Sequence, residues 1–172
     1  MEKSLFEQIG VSSRFTKEGA ILKLISEKQN NKVEVDFKDC PDLLLPFAVA
    51  CLCSGIKFRF SNVSHLRLKE SDRLESLKLE SKKLGFIIKT GDNFVEWDGE
   101  ISEKDTDPII DPHDDHRVAM AFAMAALKFG KIRISDPRVV EKSFIDFWNQ
   151  LPKVGLVCEE ADNIMTVSKS SN

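Results

Sequence analysis

The sequence lacks the features that direct a chain into a membrane, out of the cell or onto nucleic acid. Its 172 residues include no apolar segment of transmembrane length, and the N-terminus has no basic-plus-apolar secretion signal. The formal net charge of −3 gives no overall basic character that would favour nucleic acid or an anionic membrane. We therefore expect a cytoplasmic protein with no nucleic-acid or membrane partner, in which anions are bound by local clusters of basic residues.

Cysteine is also scarce, with four residues at positions 40, 51, 53 and 158. Cys51 and Cys53 lie on different sides of an apolar helix, and their C-x-C spacing lacks the turn geometry of a zinc site. We expect buried free thiols, with neither a disulfide framework nor a metal site. Apolar material is plentiful: hydrophobic residues make up 42% of the chain, enough for the core of a single domain spanning residues 1–172.

Charges concentrate in residues 67–75, where three cations and three carboxylates join the end of an apolar run to the start of a helix. We predict that this helix continues to about Leu84. Ser71 or Asp72 can cap it, and Asp72 with Glu75 has the spacing of a capping box.

The same helix start is a candidate anion site. Its first-turn amides face outward beside Lys69 and Arg73, so a phosphate or carboxylate there would meet the helix dipole, hydrogen-bond donors and positive charge together. The alternative is a solvated helix start with an ion pair between residues three apart.

A second polar segment, residues 109–117, precedes a run of strong helix formers at residues 118–127 that is apolar on nearly every side. Such a helix must be buried. Asp114 or Asp115 is a plausible N-cap for it.

The first turn of this helix carries His116 and Arg117 at the edge of a core, where a charged group needs a partner. A cation in the first turn also opposes the helix dipole, so Arg117 is a poor choice for stability. This placement indicates that Arg117 serves a ligand.

The chain repeats a helix followed by a strand hairpin three times. The helices are predicted to begin at Glu2, Lys69 and Glu141 and to end near Gly10, Gly85 and Gly155. The strands are predicted at residues 11–15 with 20–25, 86–89 with 94–97, and 156–158 with 164–167. Each of the last two copies is preceded by a strand, a helix and a second strand. These lie at residues 33–37, 43–53 and 57–60 before the second copy, and at residues 108–111, 115–127 and 131–134 before the third. We therefore predict an α/β fold of βαβαββ units, with a partial unit at about residues 1–31 and units at about residues 32–104 and 105–168.

Four motifs resemble those of the 5-enolpyruvylshikimate-3-phosphate (EPSP) synthase family. They are Lys69-Glu70-Ser71-Asp72-Arg73, Asp114-Asp115-His116-Arg117, Pro41-Asp42, and Lys142-Ser143-Phe144. Their order and rough spacing follow the family, and the resemblance covers about residues 5–167. Asp114 stands where the family often has asparagine. His65 stands where many members place an asparagine against the sugar-like substrate, which makes His65 a doubtful substrate contact.

The resemblance implies a fold and a missing part. Family domains are inside-out: three βαβαββ units surround a pseudo-threefold axis, with sheets outside and parallel helices buried inside. Family chains are more than twice this long and hold the active site between two such domains. The resemblance thus implies a C-terminal portion, incomplete at its N-terminus, whose partner is the missing N-terminal portion of the same enzyme.

The reaction implied by the resemblance transfers the enolpyruvyl group of phosphoenolpyruvate to the 5-hydroxyl of shikimate 3-phosphate and releases phosphate. No metal or organic cofactor is implied. Asp42 matches the residue that holds and deprotonates the hydroxyl, Glu70 matches the proton donor to the methylene carbon, and Lys69 contacts the hydroxyls and assists the transfers. From the residues alone, Asp42 is equally well explained as an N-cap, and Glu70 is better explained as a solvated charge.

The remaining matches concern binding of phosphoenolpyruvate. Arg73 and Arg117 match the pair that grips its carboxylate, a task suited to the planar guanidinium fork. His116 matches a residue supporting the same ligand, and Lys142 one that contacts its phosphate. The fragment is expected to be inactive alone.

Three alternatives remain open at this level. His113, Asp114, Asp115 and His116 could form a metal-dependent hydrolase cluster, although adjacent residues after a proline do not easily converge on one ion. The chain could also be a non-catalytic repeat or interaction module, or part of the related enolpyruvyl transferase that acts on a nucleotide sugar.

Overall fold

The computed structural model describes residues 2–25 and 30–170. Its α-helices are α1 Glu2–Glu7, α2 Leu44–Ser54, α3 Arg73–Lys83, α4 His116–Ala123, α5 Ala126–Phe129 and α6 Phe147–Gln150. Its strands are β1 Val11–Thr16, β2 Gly19–Leu24, β3 Lys32–Asp36, β4 Lys57–Ser61, β5 Lys89–Thr90, β6 Phe94–Trp97, β7 Ile109–Ile110, β8 Lys131–Ser135, β9 Leu156–Ala161 and β10 Ile164–Lys169. Short 3-10 turns lie at Pro41–Leu43, Ser64–Leu68, Pro137–Lys142 and Leu151–Val154. The predicted α/β class is confirmed.

Within the described residues the strands form two four-stranded sheets and one separate hairpin. The sheet orders are β3-β4-β6-β5 and β7-β8-β10-β9. In each sheet the first two strands are parallel, and the other pairings are antiparallel. The hairpin consists of β1 and β2. A parallel pair needs a crossover connection, and α2 and α4 provide it within the two sheets.

Helices α2 and α4 pack against each other between the sheets. Both are buried along most of their length, as their apolar sequences predict. Gly55 ends α2 in a left-handed conformation, at φ 71°, and the amides of Gly55 and Ile56 close the helix by bonding to the carbonyls of Leu52 and Cys51.

The single helix predicted to run to Leu127 is wrong in one respect. It breaks after Ala123, and a second short helix follows, because the chain tightens at this point: the Ala125 amide bonds to the Phe122 carbonyl and the Leu127 amide to the Met124 carbonyl, each three residues back.

The third predicted helix, at residues 141–155, is also wrong as a continuous element. Pro137–Lys142 is a 3-10 turn, α6 is four residues long, and a second 3-10 turn follows at Leu151–Val154. Pro152 contributes to the break because it has no amide hydrogen to donate. The strands predicted at 86–89 and 108–111 shrink to Lys89–Thr90 and Ile109–Ile110, with Phe86 forming only an isolated bridge to Ile101.

The hairpin predicted near the N-terminus is present, but β2 is exposed along its whole length. Met1 and residues 26–29 of the predicted partial unit lie outside the described residues. None of the helices in the described part of the chain has the length and hydropathy needed to cross a membrane.

Candidate active site

Polar side chains meet where the chain enters helices α2, α3 and α4. Asp42 lies in the 3-10 turn that leads into α2, Arg73 is the first residue of α3, and Asp115 is the N-cap of α4. Three segments that are distant in sequence thus join at their N-terminal ends. The positive ends of the helix dipoles and their free amides favour an anion at such a place.

Arg73 is the centre of this cluster, although only 2% of its side chain is exposed. Its Nε donates to Asp115 Oδ2 at 2.8 Å, its Nη1 donates to Asp42 Oδ1 at 3.2 Å, and its Nη2 donates to Glu70 Oε2 at 2.8 Å. A guanidinium group removed from water needs such partners, because burial of an unpaired charge is costly. The sequence predicted Arg73 as a site residue, but it did not predict that Arg73 is buried against three carboxylates.

Asp115 joins α3 to α4 and is fully buried. Its Oδ1 accepts a hydrogen bond from the Arg117 amide at 2.9 Å, which caps α4 as predicted. Its Oδ2 accepts from Arg73 and from the Ser71 hydroxyl, the latter at 3.3 Å. The capping role was readable from the sequence. The ion pair with Arg73 joins residues 42 positions apart, and no local pattern encodes it.

Asp42 bridges the two arginines predicted to grip a carboxylate. Its Oδ2 lies 2.8 Å from Arg117 Nη2, while its Oδ1 accepts from Arg73. The side chains of Asp42 and Glu70 are 53% and 45% exposed, in contrast to the buried Asp115. Two of the three contacts of Arg73 are therefore with half-exposed carboxylates that another anion can displace, and the third anchors it to α4.

The N-terminus of α3 is capped by Asp72, which accepts hydrogen bonds from the amides of Leu74 and Glu75. This confirms one of the two predicted caps. Arg67 pairs with the same carboxylate at 2.8 Å. The Glu75 carboxylate pairs with Lys78 at 3.3 Å, so this part of the predicted capping box turns away from the cap.

The other predicted residues lie around this centre. Lys142 Nζ donates to the carbonyl and to Oδ1 of Asp114, which ties the chain after β8 to the start of α4. Lys69 is exposed just after the 3-10 turn that contains His65. Within the described part of the chain, His116 Nδ1 and His65 Nε2 are buried nitrogens with no hydrogen-bond partner. His116 therefore retains hydrogen-bonding capacity for a ligand.

A cleft of about 200 Å³ opens beside Arg117. It is lined by Asp42, Pro46, Arg117, Met120, Ala121 and Met124. Its lining combines the charged side chains of Asp42 and Arg117 with four apolar residues. A larger cleft of about 490 Å³ lies elsewhere, beside residues 103–108, and none of the predicted site residues lines it.

Three of the four side chains of the alternative metal cluster are held by separate partners. His113 contacts Glu80, Asp114 contacts Lys142, and Asp115 contacts Arg73. Among residues 2–25 and 30–170, no three His, Cys, Asp or Glu side chains are grouped as they would be around a metal ion. The arrangement favours an anion site over a metal site.

The four cysteines are free. Cys51 is buried, and burial raises the pKa of its thiol to about 12. Cys53 is half-buried, and desolvation raises its pKa to about 11. Thiols with such pKa values stay protonated near neutral pH, so neither is a nucleophile.

Fold and site together define an α/β protein whose helix N-termini hold an arginine–carboxylate cluster suited to an anionic ligand. The chain belongs to the family of EPSP synthase (3-phosphoshikimate 1-carboxyvinyltransferase), whose family model matches residues 3–151. This confirms the predicted family.

Named relatives agree with the family match. The chain is 41% identical over 152 residues to a 3-phosphoshikimate 1-carboxyvinyltransferase of Bacteroides fragilis and 37% identical over 152 residues to that of Syntrophobacter fumaroxidans. These alignments cover 88% and 87% of this chain but 37% and 35% of the relatives. The chain thus spans about a third of the length of the curated relatives it matches.

Proposed function

We propose that this chain is the C-terminal portion of an EPSP synthase. The whole enzyme would transfer the enolpyruvyl group of phosphoenolpyruvate to the 5-hydroxyl of shikimate 3-phosphate and release phosphate. The observation that carries the proposal is that the guanidinium groups of Arg73 and Arg117 both contact the Asp42 carboxylate. Two guanidinium groups already hold one carboxylate here, so their spacing suits the carboxylate of phosphoenolpyruvate.

The phosphoenolpyruvate carboxylate takes over Nη1 of Arg73 and Nη2 of Arg117 from Asp42. Arg73 keeps its place during the exchange because its Nε stays bonded to the buried Asp115. His116 Nδ1 is free to bond the ligand, and Lys142, which is held by Asp114, binds the phosphate group.

The released Asp42 carboxylate holds the 5-hydroxyl and accepts its proton as the oxygen attacks C2 of phosphoenolpyruvate. Glu70 gives a proton to the methylene carbon, so the electron pair of the double bond is captured there and a tetrahedral intermediate forms. Loss of a methyl proton and of inorganic phosphate then restores the double bond. Lys69 lies next to Glu70 and supports the transfers. No metal or organic cofactor is required.

The finer architecture is part of the proposal. We assign two repeated βαβαββ units, at about residues 32–104 and 105–168, and a partial unit at about residues 1–31, within one inside-out domain over residues 1–172. Support comes from the identical order and direction of strands in the two four-stranded sheets. The parallel orientation of the buried helices belongs to the same proposal.

The remaining phosphate-binding groups and the facing domain come from the N-terminal portion of the same enzyme. That portion excludes water and positions both substrates, contributions that reach many powers of ten in rate. We expect a cytoplasmic enzyme, with no nucleic-acid or membrane partner, and no measurable turnover by this chain alone.

Calorimetric titration of the chain with phosphoenolpyruvate tests the site. Weak binding is expected for the wild type, lowered about tenfold or more in Arg117→Ala, because a charge-assisted hydrogen bond is lost. Arg117→Lys should not restore the lost affinity for phosphoenolpyruvate, since lysine lacks the planar guanidinium fork. Arg138→Ala is the matched control, because Arg138 is an exposed arginine outside the cluster. Equal binding by all four proteins would contradict the assignment.

Complementation tests the reaction. The N-terminal portion of the Bacteroides fragilis relative, added as a separate polypeptide, should restore some release of phosphate in the presence of both substrates. Glu70→Gln should abolish that release while leaving phosphoenolpyruvate binding in place. Robust turnover by the chain alone would overturn the need for a second portion.

A further inference from the structure

A second buried carboxylate lies outside the cluster described above. Glu80, on α3, is 1% exposed. Its Oε1 lies 2.9 Å from His113 Nε2, and its Oε2 accepts hydrogen bonds from Lys83 Nζ at 2.6 Å and from the Asp111 amide at 2.9 Å. Two of these three contacts reach the loop of residues 111–115, which connects β7 to α4. Glu80 therefore ties α3 to that loop.

The loop has an unfavourable backbone. His113 and Asp114 are consecutive non-glycine residues in the left-handed region, at φ 51° and 59°. Such conformations persist only where the surroundings hold them. Within the loop, the His113 amide donates to Asp111 Oδ1 at 2.7 Å and the Asp115 amide donates to the Pro112 carbonyl at 2.9 Å. The contact of the His113 side chain with Glu80 fastens this turn to α3.

The turn sets the positions of three site residues. Asp114 has a left-handed backbone, and both its carbonyl and its carboxylate accept hydrogen bonds from Lys142 Nζ. The next residue, Asp115, caps α4 and holds Arg73. A change in the turn would therefore move Lys142 and loosen the anchor of Arg73.

Glu75 shows what an ordinary carboxylate on the same helix does. It pairs with Lys78 three residues later, as Glu80 pairs with Lys83, but its side chain is 41% exposed. A surface pair of this kind needs no burial. The burial of Glu80 removes a charge from water. Beside the pairing with Lys83, the bonds to His113 and the Asp111 amide help to offset that cost.

We propose that Glu80 and His113 form a clamp that holds the strained 111–115 turn and so positions Lys142 and Arg73 for the anionic ligand. Neither residue touches the ligand, so both are positioning residues. The assignment of phosphoenolpyruvate as that ligand rests on the proposed function, whereas the clamp itself can be tested without any ligand.

Amide hydrogen exchange of the chain alone provides the first test. Glu80→Gln should speed exchange at the Asp115 and Arg117 amides about tenfold, because a charge-assisted contact that holds the turn is lost. Glu75→Gln is the matched control and should leave these amides unchanged. Amides of the β8–β10 pairing should keep their protection in both variants, which separates loosening of the turn from general unfolding.

His113→Asn provides the second variant. Asparagine tolerates the left-handed conformation but is too short to reach Glu80, so backbone strain is relieved while the clamp is removed. We expect a folded protein with the same faster exchange at Asp115 and Arg117. Unchanged exchange at both amides in folded Glu80→Gln and His113→Asn proteins would overturn the clamp.

Phosphoenolpyruvate titration of the same proteins supplies the functional test. Affinity should fall about tenfold in Glu80→Gln and in His113→Asn, and stay constant in Glu75→Gln. Absence of binding by the wild type would count against the proposed function, and the exchange results would still decide on the clamp. Faster exchange with undiminished affinity would overturn the claim that the clamp positions the site.

Discussion

Hairpin β1–β2 and hairpin β9–β10 are built alike but differ in burial. Each has six-residue antiparallel strands. In β10, Met165 and Val167 are 4% and 0% exposed, whereas in β2, Leu22 and Leu24 are 66% and 75% exposed. The difference is that β10 also pairs with β8. A hairpin gains stability from a neighbouring strand and a packed face, and its own pairing is not sufficient.

The comparison divides the chain into two regions. Residues 30–170 form the sheet region, and residues 11–24 form the N-terminal hairpin. Within the described residues, no strand pairs with the outer edge of β2, and unpaired strand edges and apolar faces tend to recruit partners. We infer that the sheet region determines the free energy of unfolding and that the hairpin contributes little to it.

The largest expected contrast comes from the same substitution in both regions. Phe60, fully buried, packs its ring 4.8 Å from Phe37 and 4.3 Å from Phe58, measured between ring centroids. Phe60→Ala should lower the free energy of unfolding by about 3–5 kcal/mol, through lost burial and a cavity. Phe15→Ala, at a side chain that is 70% exposed, should change it by less than about 0.5 kcal/mol. Urea denaturation measures both, and similar losses would show that the hairpin belongs to the cooperative core.

A smaller contrast concerns charge inside the sheet region. Asp115→Asn keeps an N-cap but removes the buried negative charge beside Arg73, so we expect a loss of about 2–3 kcal/mol in the free energy of unfolding. Asp42→Asn removes a half-exposed partner of the same guanidinium and should cost less than about 1 kcal/mol. Equal losses would contradict the distinction between anchoring and exchangeable contacts of Arg73.

The sequence predicted what local patterns encode. Apolar runs located α2 and α4. The motif residues Asp42, Glu70, Arg73 and Arg117 meet in space, and their roles stay a prediction. Contacts between distant residues were missed, because spacing along the chain does not reveal them.

Glu80 did leave a signal that was missed. It lies three residues after Leu77 and four before Leu84, on the buried face of α3. A carboxylate on an apolar helical face needs a partner, which could have pointed to a second polar contact. The identity of that partner, His113, follows only from the fold.

Replacing one glycine in each region should give a still smaller difference in the free energy of unfolding than the charge substitutions. Gly55 ends α2 at φ 71°, and Gly19 begins β2 at φ 148°, with open space around the position of an added Cβ in both cases. Strain alone therefore decides the effect of alanine. Gly55→Ala should lower the free energy of unfolding by about 1–2 kcal/mol. Gly19→Ala, although strained as well, should leave the global value within about 0.5 kcal/mol, because the hairpin opens independently of the sheets. Comparable shifts in urea denaturation would argue against independent opening.

The smallest expected effect is on association rather than folding. Pairing of β1 with β2 sets Ser13 opposite Leu22 and Val11 opposite Leu24, so these four side chains share one face of the hairpin, while Ile21 lies on the other. We expect the wild type to self-associate weakly at high concentration through the exposed leucines. Sedimentation of Leu22→Lys/Leu24→Lys should show a monomer over the whole concentration range, since lysines at strand edges and faces oppose association.

Ile21→Lys makes the same change on the opposite face and should associate like the wild type. A wild type that stays monomeric at every concentration would show that the exposed hairpin needs no partner, and equal behaviour of both variants would show that the Leu22 face is not the one that associates.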